Sequence, residues 1–291
     1  MSARRFCPGR AAAIGAAAIA LAGPFDGPAA AQGKLDAKYT ATLAGIPIGK
    51  GVWVIDIAHD QFTAAASGGT AGLLQVFAAG HGTSASRGGV TNAGALQPST
   101  YASTVTGDRW TEEIRITLQG GNAKDVSIDP VSPPNPDRVP VTDVHRRGVT
   151  DPMTAALMRV PGTGDVVTPE ACNRKISVFD GRMRFDVQLA FKRIESVRTE
   201  KGYQGPVVVC AAYFQPIAGY VPDRPTIKYL IAQRDMELWL APVAGTRVLV
   251  MYRFSVPTAL GVGVLQATQF VTTAQSANNG KHAPAATARA Q

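Results

Sequence analysis

The residues that could do chemistry are few and scattered. Asp180-Gly181-Arg182 sets a carboxylate beside a guanidinium. It lies between two β-patterned runs, ISVF and RMRFDVQL, and Asp-Gly is among the strongest hairpin signals, because a type I′ turn needs φ > 0 at both central residues. The tripeptide is therefore read as a turn. The four histidines, His59, His81, His145 and His282, form no HxH, HxxxH or HExxH spacing. A zinc site needs three or four ligands, usually with one close pair. No metal or other cofactor is expected on this ground. Neither GxSxG nor SxxK occurs in a strand–turn–helix setting, and no catalytic residue is assigned. The glycine-rich stretch Ser67–Gly72 has no phosphate-loop lysine and reads as a flexible turn. Glu112 and Glu113 are adjacent, so on a strand they face opposite sides and cannot act as one acid/base couple. Glu112 falls on the same face as Trp110, Ile114, Ile116 and Leu118. It is either exposed at a strand end or a polar anchor in a cleft.

Those residues need elements to hold them, and period-two patterns dominate the chain. In RMRFDVQLAF, Met183, Phe185, Val187, Leu189 and Phe191 share one face, and Arg182, Arg184, Asp186 and Gln188 the other. That alternation is a half-buried antiparallel strand. WTEEIRITL, residues 110–118, behaves likewise, and ten further strand candidates spread over 38–272. Turn signals such as Gly120-Gly121-Asn122 and Ala244-Gly245 separate many of them. Two stretches break the pattern. AGLLQVFAAG, 71–80, reads as a short apolar helix over an opening. TDPMTAALMRV, 150–160, has a helix start, with Asp151 as N-cap and Pro152 where its missing donor costs nothing. Residues 129–140, DPVSPPNPDRVP, are a proline-rich connection or a seam between two halves.

A flat sheet of eleven or twelve strands is unfavourable because twist accumulates. The expected fold is mainly β: one large curved antiparallel sheet forming a partial barrel, with two or three short helices. Its apolar concave face must be filled by a helix or a ligand. Leu73, Leu74, Phe77, Trp110, Phe185 and Leu189 are the expected lining.

The ends carry a different signal. Arg4, Arg5 and Arg10 precede the apolar run AAAIGAAAIALA, which is too short to span a bilayer, and Ala29-Ala30-Ala31 offers a cleavage site before Gln32. This is the pattern of a secretory signal over 1–31, leaving a domain over 32–273 and a disordered tail over 274–291. A periplasmic or secreted protein with no membrane-spanning segment follows. Its two remaining cysteines, Cys172 and Cys210, then favour a disulfide over a nucleophilic thiol. The whole chain has a formal net charge of +8, so an anionic membrane surface or a polysaccharide is a possible partner. Nucleic acid is not, since no aromatic-basic motif appears.

VFDGRMRFDVQL (178–189), Cys210, PIAGY (216–220) and MELWLAPV (236–243), together with YTATLAGIPIGKG (39–51) and DPMTAAL (151–157), resemble the bacterial domain-of-unknown-function family 3108 over about residues 38–272. The resemblance implies an exported, envelope-located β protein of Gram-negative bacteria and supplies no catalytic residues. By looser analogy the fold looks like the half-barrel of periplasmic lipoprotein carriers. The leading expectation is a non-enzymatic protein binding a lipid, an acyl chain or a lipidated envelope partner. The alternatives are an envelope hydrolase acting on glycan or lipid through a dispersed site, and a structural component of an envelope complex.

Overall fold

The computed structural model describes residues 32–71, 79–131 and 133–275. Seven strands, β1 (Gly33–Leu43), β2 (Ile46–Ile57), β3 (Gln61–Thr70), β4 (Gly80–Val90), β5 (Leu96–Gly107), β6 (Thr111–Gln119) and β7 (Asn122–Asp129), form an antiparallel meander. A long connection carries the short helix α1 (Pro152–Ala155) and the three-residue strand β8 (Leu157–Arg159). The chain then builds β9 (Arg174–Phe179), β10 (Arg184–Arg198), β11 (Lys201–Gly202), β12 (Gln204–Ala218), helix α2 (Pro225–Ala232), β13 (Glu237–Pro242), β14 (Val248–Thr258) and β15 (Gly261–Ala274). β15 returns to pair with β1. The strand order is β7-β6-β5-β4-β3-β2-β1-β15-β14-β13-β12-β10-β9, with β11 against β15 and β8 against β14.

The strands form where the alternation demands. In β1, Leu35, Ala37 and Tyr39 are buried while Lys34, Asp36 and Lys38 are exposed. One face of the meander thus becomes a wall of the core. β12 departs from alternation: Val207 to Ala212 are all buried. Val207 and Val209 join the main core with Leu35, Trp53 and Phe270, while Val208 and Cys210 join a second cluster with Leu189, Leu240 and Leu249. A strand covered on both faces reads as a continuous apolar run. The second cluster is covered by Met158, Val160, Ala171 and Cys172 from the segment after α1, with Leu230 of α2 packed against it. A disulfide joins Cys172 to Cys210, with Cα atoms 5.4 Å apart.

The sheet curls into a nearly closed antiparallel barrel. Its two edge strands are bridged by residues 147–150. Val149 N–H donates to Gly121 O at 2.8 Å on the β7 side, and Thr150 N–H donates to Ser177 O at 2.9 Å on the β9 side. The proline-rich connection is pinned as well: Val139 exchanges backbone bonds with Gly219 and Tyr220, both at 2.8 Å. Strands from both sides of this connection belong to one sheet.

Four local expectations meet different outcomes. The helix expected within 150–160 stops after one turn, because Leu157 and Met158 pair with Val250 and Leu249 of β14. Of the expected helix 71–80, residues 72–78 lie outside the described residues, and Gly80 already begins β4. Ser67–Thr70 are not a turn; they end β3, with Gly68 paired to Gly51 and Gly82. Asp180-Gly181 does turn the chain, but as a longer loop in which only Gly181 has positive φ, at 100°. The Asp180 carboxylate accepts the N–H groups of Arg182 (2.8 Å) and Met183 (2.6 Å), which supplies the turn geometry a type I′ pair would otherwise give.

Candidate functional site

Inside the barrel, α1 and its N-cap fill part of the space. Val149, Met153 and Leu157 are buried in the main core. Asp151 is fully buried: Oδ1 accepts from Met153 N and Thr154 N, both at 2.9 Å, and Oδ2 from Thr154 Oγ1 (2.7 Å) and Ser86 Oγ (3.0 Å). Burial pushes its carboxyl up, and the four donors pull back. Ser86 lies on β4, so this knot ties the plug to the barrel wall. Three of the carboxylate's four donors come from the first turn of α1 and the fourth from the barrel wall, which is the arrangement of an anchor.

Beyond the plug a hollow of about 420 Å³ remains, within the rough 300–1,000 Å³ range of small-molecule sites. Tyr39, Trp53, Ala66, Met153, Met251 and Leu265 form its walls. The reason for the space is the sequence of β2 and β3. Their inward positions run Gly49, Gly51, Trp53 on one strand and Gly68, Ala66, Ala64 on the other, with Gly51 opposite Gly68 and Trp53 opposite Ala66. Where the side chains shrink to hydrogen or methyl, the core cannot be filled from that wall. The fit is close: a Cβ on Gly51 would lie 3.0 Å from Ser67 O. Among the described residues, Tyr39 and Lys50 are the titratable groups on the lining. Tyr39 donates its hydroxyl to Met251 O at 2.6 Å, and burial raises its pKa, so it stays protonated.

The expected lining residues are dispersed. Leu73, Leu74 and Phe77 lie outside the described residues. Trp110 is 56% exposed, with its indole against Gly107 on the β5–β6 turn. Leu189 is buried in the second cluster, and Phe185 stacks on Phe214 at 5.4 Å beside it. Neither touches the hollow. The signal that marks the lining is the alternation of glycines with Trp53 in GKGVW, which places absent side chains on the inward face.

Charged groups gather elsewhere. Arg182 is ion-paired to Glu112, joining the β9–β10 loop to the start of β6. Arg193 makes a two-pronged contact with Glu237 at 3.0 and 2.9 Å, Lys192 also reaches Glu237, and Trp239 Nε1 donates to Glu195 at 2.8 Å. Trp239 lies between the Arg193 and Arg253 guanidinium groups, 5.5 and 4.7 Å from the ring centre. Among the described residues no group of three His, Cys, Asp or Glu side chains could hold a metal ion.

The family model for DUF3108, described as a protein of unknown function, matches residues 38–268. The chain belongs to that family. No curated protein matches it. A solved structure titled as a β-barrel-like protein of domain of unknown function DUF1849 from Brucella abortus is similar over 84% of this chain and 98% of its own, at 8% identity and a TM-score of 0.48. No helix among the described residues is long and apolar enough to cross a membrane.

Proposed function

We propose that this DUF3108 chain is a non-enzymatic binding protein of the bacterial envelope whose hollow takes an acyl chain, either of a free lipid or of a lipidated partner. The observation that carries this reading is the hollow's chemistry: aromatic, Met, Leu, Ala and Gly walls, with a tyrosine already spent on a backbone carbonyl. Apolar surface takes apolar ligand, and the few polar groups leave little with which to orient a polar one. Hydrolysis needs at least two titratable groups within hydrogen-bond reach in one cleft. Tyr39, buried and protonated, and the exposed Lys50 do not supply that pair. In this reading residues 1–31 act as an export signal, 32–273 are the exported domain, and the Cys172–Cys210 disulfide suits an oxidising compartment.

Native mass spectrometry of the chain purified from its own envelope tests the reading. A co-purifying lipid or acyl species is expected. Ala66→Leu, which fills the hollow from β3, is expected to abolish its retention and the uptake of a fluorescent fatty acid. Uptake unchanged by Ala66→Leu in a folded variant overturns the assignment.

A further inference from the structure

The long strand β10 is paired along only part of one side. β12 follows it from Arg184 to Arg198, but β9 ends at Arg174, opposite Leu189. Among the described residues no strand or bridge lies against Ala190–Arg198 on the β9 side. An antiparallel strand directs its N–H and C=O groups to alternate sides, so this edge carries backbone groups open to another chain. Large apolar side chains at the edge stand in solvent: Phe191 is 43% and Ile194 48% exposed. They lie opposite Cys210 and Val208, members of the second apolar cluster, and so carry that cluster's face out to the edge. On the other face Arg193 and Glu195, opposite Val209 and Val207 of the main core, are ion-paired and each 38% exposed.

Sheet edges are commonly guarded by a bulge and by lysines. β10 has both, with its register shifting between Phe191 and Arg193. The guards are turned aside, because Lys192 and Arg193 both reach across β12 to Glu237 on β13. The charges around the edge also balance: Lys192, Arg193, Arg198 and Lys201 stand against Glu195, Glu200, Glu237 and Glu170, the last on the 3₁₀ turn that packs on β10. Such an edge selects neither a strongly acidic nor a strongly basic strand. It selects one carrying the same residues in reverse order, and β10 itself is that strand. A two-fold axis through Ile194 sets Ile194 opposite the partner's Ile194, Arg193 opposite the partner's Glu195, and Lys192 opposite the partner's Ser196. Moving the axis to Arg193 or to Glu195 puts like charges face to face, which is destabilising. Moving it to Ser196 puts Ile194 opposite the partner's Arg198. A slip of one residue sets side chains against the wrong face.

We infer that two copies of this chain pair through β10, antiparallel and two-fold symmetric about Ile194, to make one continuous sheet. The paired segment is Lys192–Ser196. Ala190 and Phe191 then separate the partner's strand from the end of β9, so the strand does not run into Arg174. On the cluster face the two Ile194 side chains meet, flanked by the two Phe191 rings, and the second clusters of both copies join across the axis. On the other face the ion pairs of Arg193, Glu195 and Glu237 continue into those of the second copy. None of these residues lines the hollow, so the pairing stands apart from the function proposed above.

Analytical ultracentrifugation of the full exported chain tests the pairing. So short a paired segment makes a small interface, and a concentration-dependent monomer–dimer equilibrium is expected. Ile194→Lys, which puts two like charges on the axis, is expected to raise the dissociation constant at least tenfold with an unchanged melting temperature. Cysteine crosslinking reads the register. Residues directly opposite in an antiparallel pair have Cα atoms about 4.5–5.5 Å apart, within disulfide reach. Ile194→Cys is therefore expected to give a reduction-sensitive covalent dimer on mild oxidation with copper phenanthroline. Ser196→Cys, which faces the partner's Lys192, is expected to give at least tenfold less. A monomer at every concentration, a dimer indifferent to Ile194→Lys, or equal crosslinking at the two positions overturns the pairing. A purified chain that stays monomeric while Ile194→Cys crosslinks to a different envelope protein in the cell overturns it in favour of a foreign strand.

Discussion

Arg182 and Glu112 are ion-paired across the line where the two ends of the sheet meet, the one on the β9–β10 loop and the other at the start of β6. Beside them Gly181, with φ at 100°, lies so close to β6 that a Cβ there would be 2.5 Å from Ile114 Cγ2. The pair therefore works with the backbone bridges of residues 147–150 to hold β9 against β6 and β7. Both side chains are partly exposed, at 22% and 30%, and partly exposed pairs contribute about 0.5–1 kcal/mol. Arg182→Ala and Glu112→Gln are each expected to cost about that much, and a double-mutant cycle by urea denaturation to return a coupling of similar size. A coupling indistinguishable from zero removes the pair from the account of closure.

Asp151 is the counterpart inside the barrel. Asp151→Ala leaves two helix N–H groups without their acceptor in a buried site, and the Ser86 and Thr154 hydroxyls with only each other and Thr100 O. A loss of about 2–4 kcal/mol is expected, the sum of a lost cap and unpaired buried donors. Asp151→Asn keeps the oxygen that both N–H groups use, and the two hydroxyls can turn to accept from the amide. It is expected to cost less than half as much. Equal losses for Ala and Asn would show that the charge, not the acceptor geometry, is what the plug needs.

The fold was legible because its grammar is local. Alternation in β1 and β10, the Asp-Gly turn, the Asp151 cap and the even cysteine count each depend on a few neighbouring residues. The hollow was less legible because it depends on which strands face each other. Leu189 and Phe185 lie on an apolar face, as their spacing requires, yet β12 and β10 carry a second cluster there, and periodicity does not say which of two apolar faces encloses space. Gly68 and Gly69 read as part of a turn, and Gly49 and Gly51 as strand residues with no sign that they line a space. They are strand residues whose missing side chains create the site. Glu112 was odd on its apolar face for want of its partner, seventy positions away.

Acid should unfold the chain partly through Glu237. Hydrogen bonds from Arg193, and then from Lys192, hold its carboxyl down at about 2, against 4.5 for an unperturbed glutamate. Glu195 is lowered as well, chiefly by the Trp239 indole N–H and then by Arg193. A carboxylate whose folded pKa is depressed contributes stability that is complete above the unfolded pKa and is lost as pH falls through the folded one. The melting temperature is thus expected to fall between pH 4.5 and 2, and Glu237→Gln to start lower at neutral pH but flatten that decline. Parallel curves for the two proteins across this window contradict the assignment of the acid response to this site.

The disulfide has a further consequence for the order in which the molecule comes apart. It closes a span of 38 residues, from the 3₁₀ turn Pro169–Cys172 to the middle of β12. In the chain-entropy model such a loop contributes about 4 kcal/mol, by limiting the unfolded chain. The contact it fixes is specific: Cys172 and Ala171 cover Val208, Cys210 and Leu240, the second apolar face of the central strands. The double variant Cys172→Ser/Cys210→Ser is therefore expected to lose about 2–5 kcal/mol and, because a hydroxyl replaces each buried sulfur without an assured partner, to uncover that face first. Hydrogen exchange checks this by locating the loss. Faster exchange at residues 158–173 and in β12, with the amides of β1 to β3 still protected, is the expected pattern. Uniform acceleration over the whole sheet would mean that the cover and the barrel open as one unit, and that the crosslink acts on the unfolded chain alone.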